Sequence, residues 1–170
     1  MTSFLVVIED NRGSVHRMSK EAIAGAQNLD GNVTALVLGA NAESLAQELS
    51  SVEIDKTLIV NHDMVLTYNS DGYTEVVTKV IQSIDPDVII AGHSYQTRDF
   101  MPRVSARLDI PFISDVTMVN GDNYTKQVLN AKLNCTISSS SEKKILSFQS
   151  ACFSEEDIQS GSSNSETIDI

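Results

Sequence analysis

Short apolar runs alternate with helical stripes over the first two-thirds of the chain. Residues 4–8 (Phe-Leu-Val-Val-Ile) are unbroken by any polar group, which predicts a strand buried on both faces. Met18, Ala22, Ala26 and Leu29 then recur at the spacing of one helix face, with Asp30 and Gly31 as a stop. Residues 33–38 predict a second strand ending at Gly39. Asn41 is placed to cap a helix that buries Ala42, Leu45, Ala46 and Leu49. A shorter strand is expected over 57–60. Ser70 and Asp71 open a helix whose stripe is Val76, Val77, Val80, Ile81 and Ile84, halted by Asp85 and Pro86. Residues 88–91 predict a fourth strand. The helix after it turns Met101, Val104 and Leu108 inward, with Pro102 expected in its first turn. Strands joined by crossover helices run parallel, and the crossovers are right-handed. The pattern predicts an α/β, Rossmann-like, doubly wound and mainly parallel sheet.

After Pro111 the rhythm changes. Residues 113–119 read as a strand, and 120–123 (Asn-Gly-Asp-Asn) as a turn. Leu129, Ala131, Leu133, Cys135 and Ile137 alternate with Asn130, Lys132, Asn134, Thr136 and Ser138, the period of a strand with one buried face. Residues 138–143 turn the chain and 145–153 return it, so antiparallel strands are expected to finish the sheet. Residues 1–153 read as the folded domain. Residues 154–170 are acidic, Ser-rich and poor in large apolar groups, and read as a linker or tail.

A length of 170 residues allows one domain, which buries roughly 70% of its unfolded surface without a staple. Aromatic residues make up 5% and Trp is absent, so the core must rest on aliphatic packing. The net charge is −11, and the five acids of the last 17 residues face no Lys or Arg, leaving −6 for the rest. Nucleic acid and anionic lipid are poor partners for such a surface. No apolar run approaches the ~20 residues of a membrane span, and no signal peptide is visible at the start. The expected location is cytoplasmic, or the mitochondrial matrix in a eukaryote. Cys135 and Cys152 form neither a metal pair nor a disulfide framework, and both are expected in strands as small hydrophobes.

In a doubly wound sheet, ligands sit beyond the carboxyl ends of the strands. The loops there hold Glu9, Asp10, Asn11, Arg12 and Gly13, then Gly39, Ala40 and Asn41, then Asn61, His62 and Asp63, then Gly92, His93, Ser94 and Tyr95. A dinucleotide binder places Gly-x-Gly-x-x-Gly in the first of these. Glu9 and Asp10 stand there instead, where carboxylates repel phosphate. Gly39 before a helix is a candidate anion cradle through backbone amides. His62 and His93 follow what read as adjacent strands. They are solvated loop histidines or, with Asp63 or Asp10, a metal pair; His16 stands apart. Ser94 lacks a nucleophile elbow. Asp99, with Arg98 and Arg103, lies at a helix entrance, where an Asp99–Arg103 pair at i, i+4 is structural chemistry. No active site is visible, and no catalytic, cofactor-binding or metal-binding residue is assigned.

Residues 4–9 with the Asn-Arg-Gly turn that follows, and residues 20–39, resemble the first strand, helix and second strand of the N-terminal domain of electron-transfer flavoprotein alpha subunits. Residues 97–108 are similar to that family's helix with a Pro-Arg pair (Pro102, Arg103), leading into the Ile-Ser-Asp-Val strand at 113–116. Leu129, Asn130 and Ala131 stand where the family carries Ala-Gly-Asn. The resemblance covers residues 1–153. It implies a fold of the adenine nucleotide alpha hydrolase type and a scaffold that packs on a beta subunit. The whole heterodimer carries electrons from flavin dehydrogenases to a quinone reductase. FAD is then expected in the complete complex and not on this chain alone, with AMP a candidate ligand of the beta subunit. The same resemblance places Ile170 where the linker into a C-terminal FAD domain begins, so either a truncated domain or a stand-alone relative is expected. The competing readings are a nucleotide- or small-ligand-binding module and a hydrolase using Ser94 or Cys152.

Overall fold

The computed structural model describes residues 1–170. Strand β1 (Thr2–Val7) leads through a small hairpin, β2 (Asp10–Asn11) and β3 (Ser14–Val15), into helix α1 (Arg17–Gln27). Then come β4 (Gly31–Leu38), α2 (Ala42–Leu49), β5 (Lys56–Val60), α3 (Ser70–Ile84), β6 (Val88–Gly92) and α4 (Tyr95–Leu108). A second half of strands follows: β7 (Phe112–Asn120), β8 (Asn123–Val128), β9 (Leu133–Ser138), β10 (Lys144–Phe148) and β11 (Asn164–Thr167). The sheet order is β11-β5-β4-β1-β6-β10-β7-β8-β9, with β7, β8 and β9 paired antiparallel and every other pair parallel.

The unbroken apolar run of β1 is explained by its central place. Phe4, Val6 and Ile8 pack against α1 and α2 on one face, and Leu5 and Val7 against α3 and α4 on the other. Helix ends follow local chemistry. Asn69 caps α3 by accepting from Gly72 N at 2.7 Å, and Ser94 caps α4 by accepting from Thr97 N at 3.0 Å. Asp85 and Asp109 end those helices in the left-handed conformation, φ 52° and 54°.

Several expectations are corrected. Pro102 lies inside α4, which already starts at Tyr95. A proline inside a helix leaves the carbonyl four residues back without its donor, and Pro102 and Arg98 are both exposed, where water can serve the Arg98 carbonyl. Residues 129–131 are not strand. Leu129, Asn130 and Ala131 all have positive φ (53°, 55° and 61°) and form the β8–β9 turn. Their alternating pattern imitates a pleat that the backbone does not make. The returning strand β10 is not antiparallel to its neighbours: it inserts between β6 and β7, parallel to both. Its five residues are all buried, and only a central slot buries both faces. Cys152 lies in the turn after β10 rather than in a strand; it and Cys135 are free and half-buried.

Strand β7 bends where Asp115 takes φ 60°, beside a register shift against β10. Val116 is level with Phe148, the carboxyl end of β10, yet Asp122 meets Lys144 at the amino end. Those two levels are about 13 Å apart, so β7 folds back over the α1 face. There Val119 and Tyr124 join Phe4 and Leu146 in the core.

Residues 154–170 lie along the opposite sheet edge. β11 pairs with β5, Lys56 meets Glu166 at 2.6 Å, and Ile168 and Ile170 pack on the α3 face. The strand itself is exposed throughout, so backbone pairing, the Lys56–Glu166 pair, side-chain bonds such as Ser163 Oγ to Leu49 O at 2.9 Å and two isoleucines hold the segment.

Candidate functional site

The carboxyl ends of β1 and β4 are closed by the chain's own hairpin. Asp10 accepts from Gly13 N at 2.6 Å with one oxygen and from Asn41 Nδ2 at 2.7 Å with the other. Val15 N donates to Glu48 Oε2 at 2.8 Å, and Glu9 N to Ser19 Oγ at 2.9 Å. The amides a phosphate would use are therefore turned to carboxylates and a hydroxyl. Asn41 stands at the α2 N-cap position, but its side chain makes no cap bond there, because it is held by Asp10. Gly39 has φ 98°, and a Cβ would lie 3.0 Å from Val65 O; glycine serves a close approach of two loops. The buried Tyr73 hydroxyl, pushed up to about 12 by burial and then by Asp10 and Glu9, stays protonated beside them.

The three histidines are apart and each has a local partner. His16 Nδ1 accepts from Met18 N and His62 Nδ1 from Met64 N, both at 3.2 Å, capping a helix and a short 3-10 turn. His62 and His93 do not share a crevice: β5 and β6 are separated by β4 and β1. No group of three His, Cys, Asp or Glu is gathered as a metal site. Asp99 pairs not with Arg103 but with the Tyr68 hydroxyl, at 2.6 Å; Arg103 reaches Asp71 at 2.7 Å. Burial foremost, and then the Asp99 bond, raises the Tyr68 hydroxyl above its usual range. Ser94 is consumed as a helix cap.

A polar constellation does stand at the carboxyl ends of β6 and β10 and at the bend of β7. His93 Nδ1 is 2.8 Å from Ser147 Oγ, Asp115 N donates to Ser147 Oγ at 3.1 Å, and His93 Nε2 is 4.0 Å from Asp115 Oδ1. Gln149 Nε2 reaches Asp115 Oδ2 at 3.4 Å, and Lys126 Nζ reaches Ser114 Oγ at 3.2 Å. The residue types are those of a hydrolytic triad, but Ser147 is wholly buried and cannot meet a substrate. Burial holds the His93 imidazolium below its usual range, against the pull of Asp115. Sequence reasoning missed Ser147 and Asp115. The available signal was a lone serine inside the apolar run 145–148.

A groove of about 730 Å³ lies at the other end of the sheet. Phe4, Leu29, Val119 and Leu146 floor it, and Asp30, Asp122 and Glu142 stand at its rim. Its buried cation, Lys144, donates to Asp122 at 3.0 Å and lies 5.8 Å from the Tyr124 ring centre. Burial lowers that ammonium's pKa, but Asp122 and Tyr124 outweigh it and the net direction is up.

These elements form a Rossmann-like, doubly wound and mainly parallel sheet, with the first loop folded over the carboxyl ends of β1 and β4. Comparison with known proteins gives its relationship: the pattern described as "Electron transfer flavoprotein domain" matches residues 4–169. The chain belongs to that family. It is similar to the electron transfer flavoprotein subunit alpha of Bacillus subtilis (strain 168), 34% identical over 134 residues that cover 75% of this chain and 41% of the relative. It is similar to the probable mitochondrial electron transfer flavoprotein subunits alpha of Caenorhabditis elegans and Saccharomyces cerevisiae. The first is 31% identical, covering 90% of this chain and 47% of the relative. The second is 28% identical, covering 98% and 50%. The chain thus spans half or less of the length of these relatives. No helix in the structure is long and apolar enough to cross a membrane.

Proposed function

We propose that this chain is the N-terminal platform of an electron transfer flavoprotein alpha subunit. It docks a beta subunit and leaves the flavin to a further domain. In that role it is an electron-carrier part and not an enzyme in its own right. Flavin dehydrogenases and a quinone reductase are served only by the complete complex, in the cytoplasm or, in a eukaryote, the mitochondrial matrix. Residues 1–153 are the platform and 154–170 the start of a linker that runs along its edge.

The observation that carries this reading is the plugged crevice. Asp10 occupies the place of a phosphate cradle and binds the amide of Gly13 itself. The groove fits a flavin dinucleotide no better. Its one buried cation is committed to Asp122, and further carboxylates stand at the rim, which oppose a diphosphate. The docking surface is assigned to the β8–β9 edge, where Leu129 is 68% and Leu133 56% exposed beside an unpaired strand. Exposed apolar groups on an open edge are a hazard unless something covers them.

The test is sedimentation velocity of this chain mixed with a separately folded electron transfer flavoprotein beta subunit from the same genome. A 1:1 species is expected, weakened roughly tenfold or more by Leu133→Asp. Two independent boundaries at micromolar concentration would sink the proposal. The small-ligand reading is read out by calorimetry with AMP, ATP and FAD, each expected to give no heat.

A further inference from the structure

Strand β7 bulges at one residue before it leaves the parallel sheet, for Val116 just beyond still pairs with Phe148. Asp115 is left-handed there, φ 60°, a conformation that is costly for a residue with a Cβ and persists only when its surroundings hold it. What holds it is Ser147, which takes the Asp115 N–H at 3.1 Å, and His93, which takes the other side of the same hydroxyl at 2.8 Å.

The donor assignment follows from counting protons. Ser147 Oγ already accepts from the Asp115 amide, and His93 is its only other partner. The hydroxyl is wholly buried, so its own proton goes to His93 Nδ1. The neutral imidazole therefore carries its proton on Nε2, the nitrogen that faces Asp115 Oδ1 at 4.0 Å. A proton added to Nδ1 would meet the Ser147 proton head-on, and that hydroxyl has no second acceptor to turn to. The same added charge would draw the Asp115 carboxylate inward, away from Gln149.

We propose that His93, Ser147 and Asp115 form a proton-operated latch on the β7 pivot, closed when His93 is neutral and released in acid. The charged groups that face the ring are Asp115 from β7, Arg98 from α4 and Lys126 from β8. The two cations oppose protonation and the carboxylate favours it. The strands that the latch holds, β7 to β9, carry the edge assigned above to partner docking, but the latch does not depend on that assignment.

The test is NMR of the chain with nitrogen-15-labelled histidine and backbone amides, taken from pH 8 to pH 4.5. At pH 8 the Nε2–H tautomer is expected, and the amide shifts of Asp115 and Val116 should follow the His93 titration. Ser147→Ala removes the donor that favours the neutral ring and raises the His93 midpoint. Asp115→Asn removes the favourable charge and lowers it. A neutral ring protonated on Nδ1, or pivot amides indifferent to the His93 titration, would overturn the latch. So would variants that shift the midpoint in one common direction. Should Ser147→Ala fail to fold, the wild-type tautomer and Asp115→Asn still decide.

Discussion

Helix α1 meets β10 through Gly25, and replacing it by alanine sets two effects against each other. Alanine is the better helix former by about 1 kcal/mol, so on propensity alone the change stabilises. The structure says otherwise. An added Cβ would lie 2.6 Å and 2.9 Å from ring atoms of Phe148 and 2.8 Å from the ring of Phe153. Phe148 is 1% exposed and, though at the carboxyl end of β10, is paired on both sides, so its ring cannot swing out. Three contacts below 3.0 Å put the cost at the upper end of overpacking, about 3 kcal/mol, which leaves a net loss of about 2 kcal/mol. For a chain of this size that corresponds to a fall in Tm of roughly 4–8 °C. Urea unfolding followed by circular dichroism measures it. Adding Phe148→Leu, which shortens the obstructing ring, should make the pair less destabilised than the sum of the single changes. A Gly25→Ala protein as stable as the parent, or strictly additive losses, would refute the packing argument.

Cys152 should be slow toward iodoacetamide. Its thiol is pushed up to about 11, by burial first and then by Glu21. At pH 7.5 the thiolate fraction then falls roughly 300-fold below that of a free cysteine with its pKa of about 8.5. Labelling at the rate of free cysteine, read by mass spectrometry, contradicts the half-buried placement. Asp87 accepts from Ser3 N at 2.7 Å and Ser3 Oγ at 2.8 Å, and these bonds hold its carboxyl below the usual range. Its contribution is therefore complete above the ordinary carboxylate pKa of about 4 and is lost as pH falls through the lowered value. Asp87→Asn should flatten part of the acid limb of a stability–pH curve; an unchanged limb would count against the bond.

The parallel half was legible because its signals are local. An apolar run such as 4–8 needs burial on both faces, and only a central strand supplies it. The second half was less so, because its features are decided at long range. Nothing near residues 144–148 announces that β10 slots between β6 and β7. The pattern at 129–137 satisfies a strand, while three left-handed residues at its start make a turn. The site was hidden for the same reason: His93 and Ser147 come from the ends of two strands and Asp115 from the bend of a third. The carboxylates of the first loop were readable, and the structure adds that Asp10 binds the loop's own amide.

The platform reading is tested most directly by flavin stoichiometry. The chain, purified alone and dialysed against FAD, should show no absorbance band near 450 nm after the dialysate is subtracted. A yellow protein holding one isoalloxazine per chain, with no companion subunit present, would contradict it.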